Sequence, residues 1–467
     1  MQSIQKVLKW GWPERAGTVE EIRGRLKDAF ALNVDYDQRP VLGFPGTKPL
    51  EVAVESYCQF LSAHPNNIGC HTRRVGAESG FAGTHALERE YLYQLATLFG
   101  AHDPEGELDT ANKINGFMCS GGTEANFAGL WIARNKLLGR EAGRVAILTS
   151  WLTHYSIRKN CDELLIGEGQ WKRCDECQIE HVFSPSTNGS GLHLLPTDQD
   201  GQIMMTDLEM RIRELFESKW IRHFIIVLNA GTINMGSIDP IPEVCAVVQA
   251  LQKKHGSDIS FYVHVDAAFG GYVIPFLEPS YPFAFQNQLV DSVSVDVHKM
   301  GMAPYPAGVF LCRRDLQENI QRQISYISGH VDETPAGSRP GASAAAAWAA
   351  MKYLGREGYT KIVAECIRKL TFLRELLWQS IPGVEFYPGR INILAVSFPE
   401  HLTRFLKERP VDGGPSLAER YCLPSDEFPS NFCDINSCSK TIFRFITMPH
   451  LKEEHVREFV SLLRAKV

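Results

Sequence analysis

Lys299 sits in DSVSVDVHKMGMAPYPAGVFLCRR, residues 291–314, between two apolar, β-branched runs that read as interior strands. A lysine in such a place is stripped of hydration, and burial drives its pKa down toward neutrality. A neutral amine attacks carbonyl carbons, so the position suits a Schiff-base lysine. Many strands are followed by a lysine, however, and the neighbouring chemistry has to decide.

Four other stretches bear on that decision. FYVHVDAAFGG ends a strand-like run in Asp266, with Ala268 two residues on. A carboxylate there can pair with a protonated pyridine nitrogen, and a small residue lets a flat ring lie against the backbone. The same aspartate would equally cap an ordinary turn. FMCSGGTEANFAGLWIARNKL joins an apolar strand to a helix through Ser-Gly-Gly-Thr. Free backbone N–H groups and the positive helix end make such a junction a phosphate cradle. Gly121 and Gly122 allow close approach and Thr123 adds a hydroxyl, although a plain N-cap reads the same way. LTSWLTHYSIRKN places His154 after a further strand, to stack on a ring, shuttle a proton or simply fill the interior. LNAGTINMGSIDPI puts Thr232 in a turn that also suits an ordinary loop. In chain order these supply a phosphate anchor, a ring stack, a hydroxyl, a nitrogen partner and an aldehyde-capturing lysine. Those are the parts of a pyridoxal phosphate site.

Positioning such residues takes strands that end together. β-Branched runs (RVAILTS, HFIIVLNAG, FYVHVDAA, LVDSVSVD, AGVFLC) alternate with helical patterns near 19–31, 49–63, 84–99, 123–138 and 206–218. That alternation predicts an α/β fold with a mainly parallel sheet and helices on both faces. Ligands in such sheets gather at the carboxyl ends of the strands, where the candidate residues fall. The expected division is an N-terminal helical arm (1–64), a large cofactor-binding domain (65–345) and a small α+β domain (346–467). A long alanine-rich helix beginning in SRPGASAAAAWAAM joins the last two.

Composition narrows the function further. The 467 residues are 44% hydrophobic and 22% charged, ordinary for a globular protein. A net charge of −6 argues against nucleic acid or an anionic membrane as partner. No apolar run is long enough to span a bilayer. The 12 cysteines are scattered, mostly in apolar surroundings, and no signal core opens the chain. A reduced, cytoplasmic protein is expected. Cys174 and Cys177, with His181 nearby, have zinc-like spacing, but Cys433 and Cys438 do not complete a set, so no metal is predicted.

On the motifs SGGTEAN, LTHYS, NAGTINMGSID, HVDAAFGG and SVDVHKMG, over about residues 65–360, the chain resembles group II pyridoxal-phosphate decarboxylases. HKMGMAPYPAG and MKYLGREGYTKIV resemble archaeal-type tyrosine or aspartate decarboxylases. SGHVDETPAGSRPGASAAAAWAAM equally resembles sphingosine-phosphate lyases. The resemblance implies a fold type I, aspartate-aminotransferase-like architecture with a seven-stranded-type sheet, and pyridoxal 5'-phosphate as cofactor. It implies Lys299 as the aldimine lysine, Asp266 on the pyridine nitrogen, His154 stacked on the ring and Ala268 packed opposite. Gly122, Thr123 and His298 would serve the phosphate. Gly337 and Ser338 match a loop that reaches the partner subunit's phosphate in a homodimer. Tyr326 matches a tyrosine on the relatives' mobile active-site loop and is the candidate acid for the α-carbon, although a tyrosine packed at a helix end reads the same way. Asp296, near the phosphate, receives no role.

The implied reaction is decarboxylation of an L-amino acid through a quinonoid intermediate. A carbon–carbon lyase of the sphingosine-phosphate type is the alternative, and a non-catalytic cofactor-binding protein a further one. Lyases of that type carry a basic residue after the Ala-Pro that follows the lysine. Here Ala303-Pro304-Tyr305-Pro306 is apolar and aromatic. For the substrate, Arg73 and Arg74 could grip a side-chain carboxylate or form a solvated turn. Tyr305, Phe269 and Trp151 could instead shape an aromatic pocket.

Overall fold

The computed structural model describes residues 16–69, 80–101, 114–139, 144–166, 170–173, 180–184, 189–324, 331–387, 389–411 and 413–467; for 170–173, 180–184 and 435–438 this is backbone alone. In chain order its first strands are β1 (Ile114–Cys119), β2 (Val145–Ser150), β3 (Gln170–Arg173), β4 (Glu180–Ser184) and β5 (Gly191–Leu195). Then come β6 (His223–Asn229), β7 (Ser260–Asp266), β8 (Ser292–Asp296) and β9 (Gly308–Arg313). Seven of them form one sheet in the order β1-β9-β8-β7-β6-β2-β5, while β3 and β4 pair as a separate hairpin. Neighbours from β8 to β5 run parallel, and β9 runs antiparallel to both β8 and β1. The reason lies in the connection. Residues 297–307 are too few for the helical crossover a parallel neighbour needs, so the chain turns back after Lys299.

The sheet is buried on both faces, as the unbroken apolar runs demand. Phe224, Ile226 and Leu228 of β6 enter one core cluster. The alternate residues Ile225 and Val227 enter another, with Tyr262 and Phe310. The predicted helices appear at Val19–Phe30, Glu51–Leu61, Ala82–Leu98, Gly122–Leu138 and Met205–Glu217. The helix Ile241–His255 and strand β5 were not anticipated.

Beyond β9 a two-residue pair, β10 (Arg322–Gln323) with β11 (Val331–Asp332), precedes the helix Gly341–Ser380. That helix bends at Gly355, whose φ of 55° a side chain would resist. Its alanines Ala344 and Ala347 pack into the sheet's core, and Leu373 and Leu377 pack into a second core. The second core covers the antiparallel strands β12 (Glu385–Tyr387), β13 (Ile393–Ser397), β14 (Ser425–Asn431) and β15 (Asp434–Ile446), ordered β12-β13-β15-β14. Among the described residues no helix is long and apolar enough to cross a membrane.

Candidate active site

A cavity of about 300 Å³ opens at the carboxyl ends of the sheet strands. Its walls bring together Gly122, Thr123, His154, Thr232, Asp266, Ala268, His298 and Lys299, which lie at or just beyond the carboxyl ends of β1, β2, β6, β7 and β8. Residues almost two hundred positions apart thus converge because parallel strands all release their loops at one edge.

At one end lies Asp266, the last residue of β7. One carboxylate oxygen accepts from Ala268 N at 3.0 Å and lies 3.3 Å from Ser294 Oγ. The other accepts from Asn126 Nδ2 at 2.8 Å. Beside it, His154 caps the helix Tyr155–Glu163, its Nδ1 bonded to Ser156 Oγ at 2.8 Å. Burial pushes the His154 imidazole below its ordinary pKa, and the nearby Asp266 carboxylate offsets this only in part. A neutral, flat ring results, the form suited to stacking.

At the opposite end the helix Gly122–Leu138 points its N-terminus into the cavity. Four backbone N–H groups of a first turn lack intrahelical partners, and the helix dipole adds positive potential there. The approach is kept open by glycine. A Cβ at Gly308 of β9 would come within 2.5 Å of Gly121 Cα, so the strand lies directly against the cradle. Asp296, the last residue of β8, occupies this end. Its Oδ1 accepts from Gly122 N at 2.6 Å and its Oδ2 pairs with Lys299 Nζ at 2.8 Å. His298 lies 3.7 Å from the same carboxylate and stacks on Tyr305 at 3.9 Å between centroids. Burial lowers the His298 pKa also. The lone amine expected from the sequence is therefore matched by a carboxylate, and Lys299 keeps a side-chain exposure of 16% on the cavity side.

These groups fit pyridoxal phosphate. The helix N-terminus with Ser120 and Thr123 suits a phosphate, Asp266 a ring nitrogen, and Lys299 an aldehyde carbon. Ala268 and His154 are a small floor and a flat lid for the ring. Thr232 lines the cavity, but its hydroxyl is engaged with Ser237 Oγ at 2.7 Å within its own turn.

A family model described as the pyridoxal-dependent decarboxylase conserved domain matches residues 81–399. The chain belongs to the pyridoxal-dependent decarboxylase family. It is 29% identical to the probable L-tyrosine/L-aspartate decarboxylase of Methanothermobacter thermautotrophicus, over 90% of this chain and 95% of that protein. It is also 29% identical to the tryptophan decarboxylase of Clostridium sporogenes, over 96% and 97%. Among solved structures it is similar to L-methionine decarboxylase from Streptomyces sp.590, with a TM-score of 0.74 and 19% identity over 98% and 96% of the two chains. Sphingosine-1-phosphate lyase of Burkholderia pseudomallei has the same fold, with a TM-score of 0.71 and 19% identity over 98% and 93%. The protein is a pyridoxal-phosphate-dependent amino-acid decarboxylase of fold type I.

Other expected members of the site lie elsewhere. Gly337 and Ser338 are exposed, and Ser338 Oγ accepts from Asn66 Nδ2 at 3.2 Å instead of reaching this chain's own cavity. Trp151 does not shape the pocket. Its ring packs on Phe428 and Phe432, and its N–H donates to Thr197 Oγ1 at 3.1 Å. Phe269 does line the cavity. Tyr326, Arg73, Arg74, Cys174 and Cys177 lie outside the described residues, as do the side chains of His181 and Cys438. Cys433 is exposed and free. One contributor was not foreseen. Asn126, in SGGTEAN, carries a signal only in its place one turn into the cradle helix. Arg444, in β15, donates to Asn234 in the turn that carries Thr232, and no local pattern ties that strand to the turn.

Proposed function

We propose that this cavity decarboxylates an aromatic L-amino acid to its amine, with Lys299 as the Schiff-base lysine. The observation that carries the reading is the placement of Lys299 between the Asp296 carboxylate at 2.8 Å and the ring site bounded by Asp266 and His154. Bound there, pyridoxal phosphate supplies an electron sink for the pair left when the α-carbon loses carbon dioxide. The protein's own residues do the rest. Asp296 pairs with Lys299 and holds its side chain beside the ring site. Asp266 holds a proton on the ring nitrogen, and His154 with Ala268 keeps the ring flat. Thr123 and His298 serve the phosphate.

Arg444 is our candidate for the substrate's α-carboxylate. Its side chain is 16% exposed, and Nη1 donates to Asn234 Oδ1 at 3.0 Å in the Thr232 turn. Its Nε has no partner among the described residues. Its charge is near enough to depress His154 further. Two exposed aromatic rings, Tyr155 on His154 and Tyr305 on His298, favour an aromatic substrate among the tyrosine, aspartate and tryptophan named for the relatives. A lyase would need cations for a second phosphate, and Ala303-Pro304-Tyr305-Pro306 offers none. Tyr326 is retained as the proton donor to the α-carbon.

The working unit in this reading is a homodimer with composite sites, in the cytoplasm, with the chain divided at about residues 64 and 345. Gly337 and Ser338 are exposed, where a partner's phosphate could be met. The helix Val19–Phe30 buries none of its apolar stripe, Val19, Ile22, Leu26 and Phe30, a face a second copy would cover. The deciding experiment screens the cofactor-loaded protein against all L-amino acids for carbon dioxide and amine. Amine from tyrosine or tryptophan is expected. Turnover of aspartate alone would overturn the aromatic assignment, and no carbon dioxide from any amino acid would overturn the decarboxylase.

A further inference from the structure

Asn126 is 1% exposed, and all four of its amide's hydrogen-bonding capacities are used. The groups around it fix which amide atom is which. Nδ2 faces Asp266 Oδ2 at 2.8 Å, and a carboxylate oxygen accepts, so this amide atom is the NH2 group. Its second hydrogen goes to Ser156 Oγ at 3.0 Å. Oδ1 then accepts from Ser294 Oγ at 2.7 Å and faces His264 Nε2 at 2.9 Å, which must carry the hydrogen. Complete burial holds the His264 pKa down at about 4, so the ring is neutral with its proton on Nε2. Its other nitrogen, Nδ1, then takes a hydrogen from Ser292 Oγ at 2.7 Å.

The network continues outward toward the cavity. Ser156 Oγ accepts from Asn126, so its own hydrogen goes to His154 Nδ1 at 2.8 Å. Ser156 N donates to that nitrogen too, at 3.3 Å. His154 thus keeps its proton on Nε2. One amide sets the orientation of Asp266 and the tautomer of His154 together. Room for the imidazole behind it comes from Gly129, one turn along the same helix. A Cβ there would stand 2.7 Å from His264 Nδ1.

We propose that Asn126, locked by His264, is a positioning residue for the reaction: it aims the Asp266 carboxylate at the cofactor's ring nitrogen and fixes His154 over the ring. This rests on the reading of Asp266 as the partner of that nitrogen. The test loads the protein with pyridoxal phosphate carrying 15N in the ring and records that nitrogen's resonance, with cofactor affinity, kcat and KM measured alongside. In Asn126→Ser and His264→Leu the resonance should move toward the unprotonated position. kcat should fall at least tenfold while cofactor affinity changes less than threefold. His264→Gln, which keeps a donor for Asn126 Oδ1, should restore both readouts. Gly129→Ala, which touches no cavity residue, should reproduce the His264→Leu shift in weaker form. Should His264→Leu fail to fold, Asn126→Ser and Gly129→Ala decide. A resonance that moves in Asp266→Asn but stays in place in the network variants would overturn the proposal alone. A resonance unmoved even in Asp266→Asn would overturn the reading of Asp266, and the relay with it.

Discussion

The two ends of the cofactor cavity are built on opposite principles. At the nitrogen end Asp266, Asn126, His264, Ser292, Ser294 and Ser156 are all buried and bonded to one another within a single chain. At the phosphate end a helix N-terminus faces a cavity that also holds a cation, a carboxylate and a histidine, and Gly337 and Ser338 stand exposed. Buried polar groups act with full strength only when every one of them has a partner, so a rigid aim is obtained by closing the network. A charged ligand's anchor can remain open to water, because backbone N–H groups and charges attract it over a distance. The nitrogen end sets geometry. The phosphate end sets affinity.

Four experiments break or sharpen that contrast. Lys299 serves both ends, and Lys299→Ala should cost ~10⁴-fold or more in turnover, about 5 kcal/mol. Borohydride treatment followed by peptide mass spectrometry should then find no cofactor fixed at position 299, whereas the unaltered protein carries it there. Asp266→Asn tests the nitrogen end alone. Turnover should drop ~10²- to 10³-fold, about 3–4 kcal/mol, with cofactor content near normal. Loss of cofactor with intact kcat in the loaded fraction would reverse the roles assigned to the two ends.

Acid should weaken the fold, partly through His264 of the nitrogen end's closed network and partly through His450, which packs on Tyr36 away from it. Burial holds His264 and His450 at about 4 in the folded chain, below the ordinary 6.5. The unfolded chain therefore takes up protons first as pH falls from 6.5 toward 4, and stability declines across that window, by at most about 3 kcal/mol per ring. Buried Asp239, raised to about 6, works in the opposite sense between 6 and 3.8 and offsets part of the loss. Urea titrations at stepped pH should show a net decline, and His264→Gln should flatten it. The smallest effect belongs to the phosphate end. Asp296→Asn removes a carboxylate from beside the anion's anchor, and cofactor should bind up to about tenfold tighter, on the order of 1 kcal/mol. A fluorescence titration showing weaker binding would mean that Asp296 organises the cradle more than it repels the phosphate.

Much of this was legible from the residues. The motif SGGTEAN needed only a strand, two glycines and a helix start, which are local properties. Asp266 and Lys299 were readable because each closes an apolar strand, and parallel strands deliver such residues to one edge. The antiparallel course of β9 is also implicit in the short span after Lys299. Strand β5, by contrast, follows a stretch without a clear period and escaped notice, as did the helix Ile241–His255 between two loop-rich turns.

What the chain's order determined by itself was therefore the identity of the reactive groups and the edge on which they meet. Tertiary packing decided their partners. Asn126 meets Asp266 across 140 positions, and Asp296 meets Gly122 across 174. Arg444 reaches Asn234, in the turn that carries Thr232, from a strand of a different sheet. A side chain's local pattern records the face it must bury, because burial is governed by the period of its own element. Which donor it then meets depends on how elements distant in sequence stack on one another, and no local period encodes that.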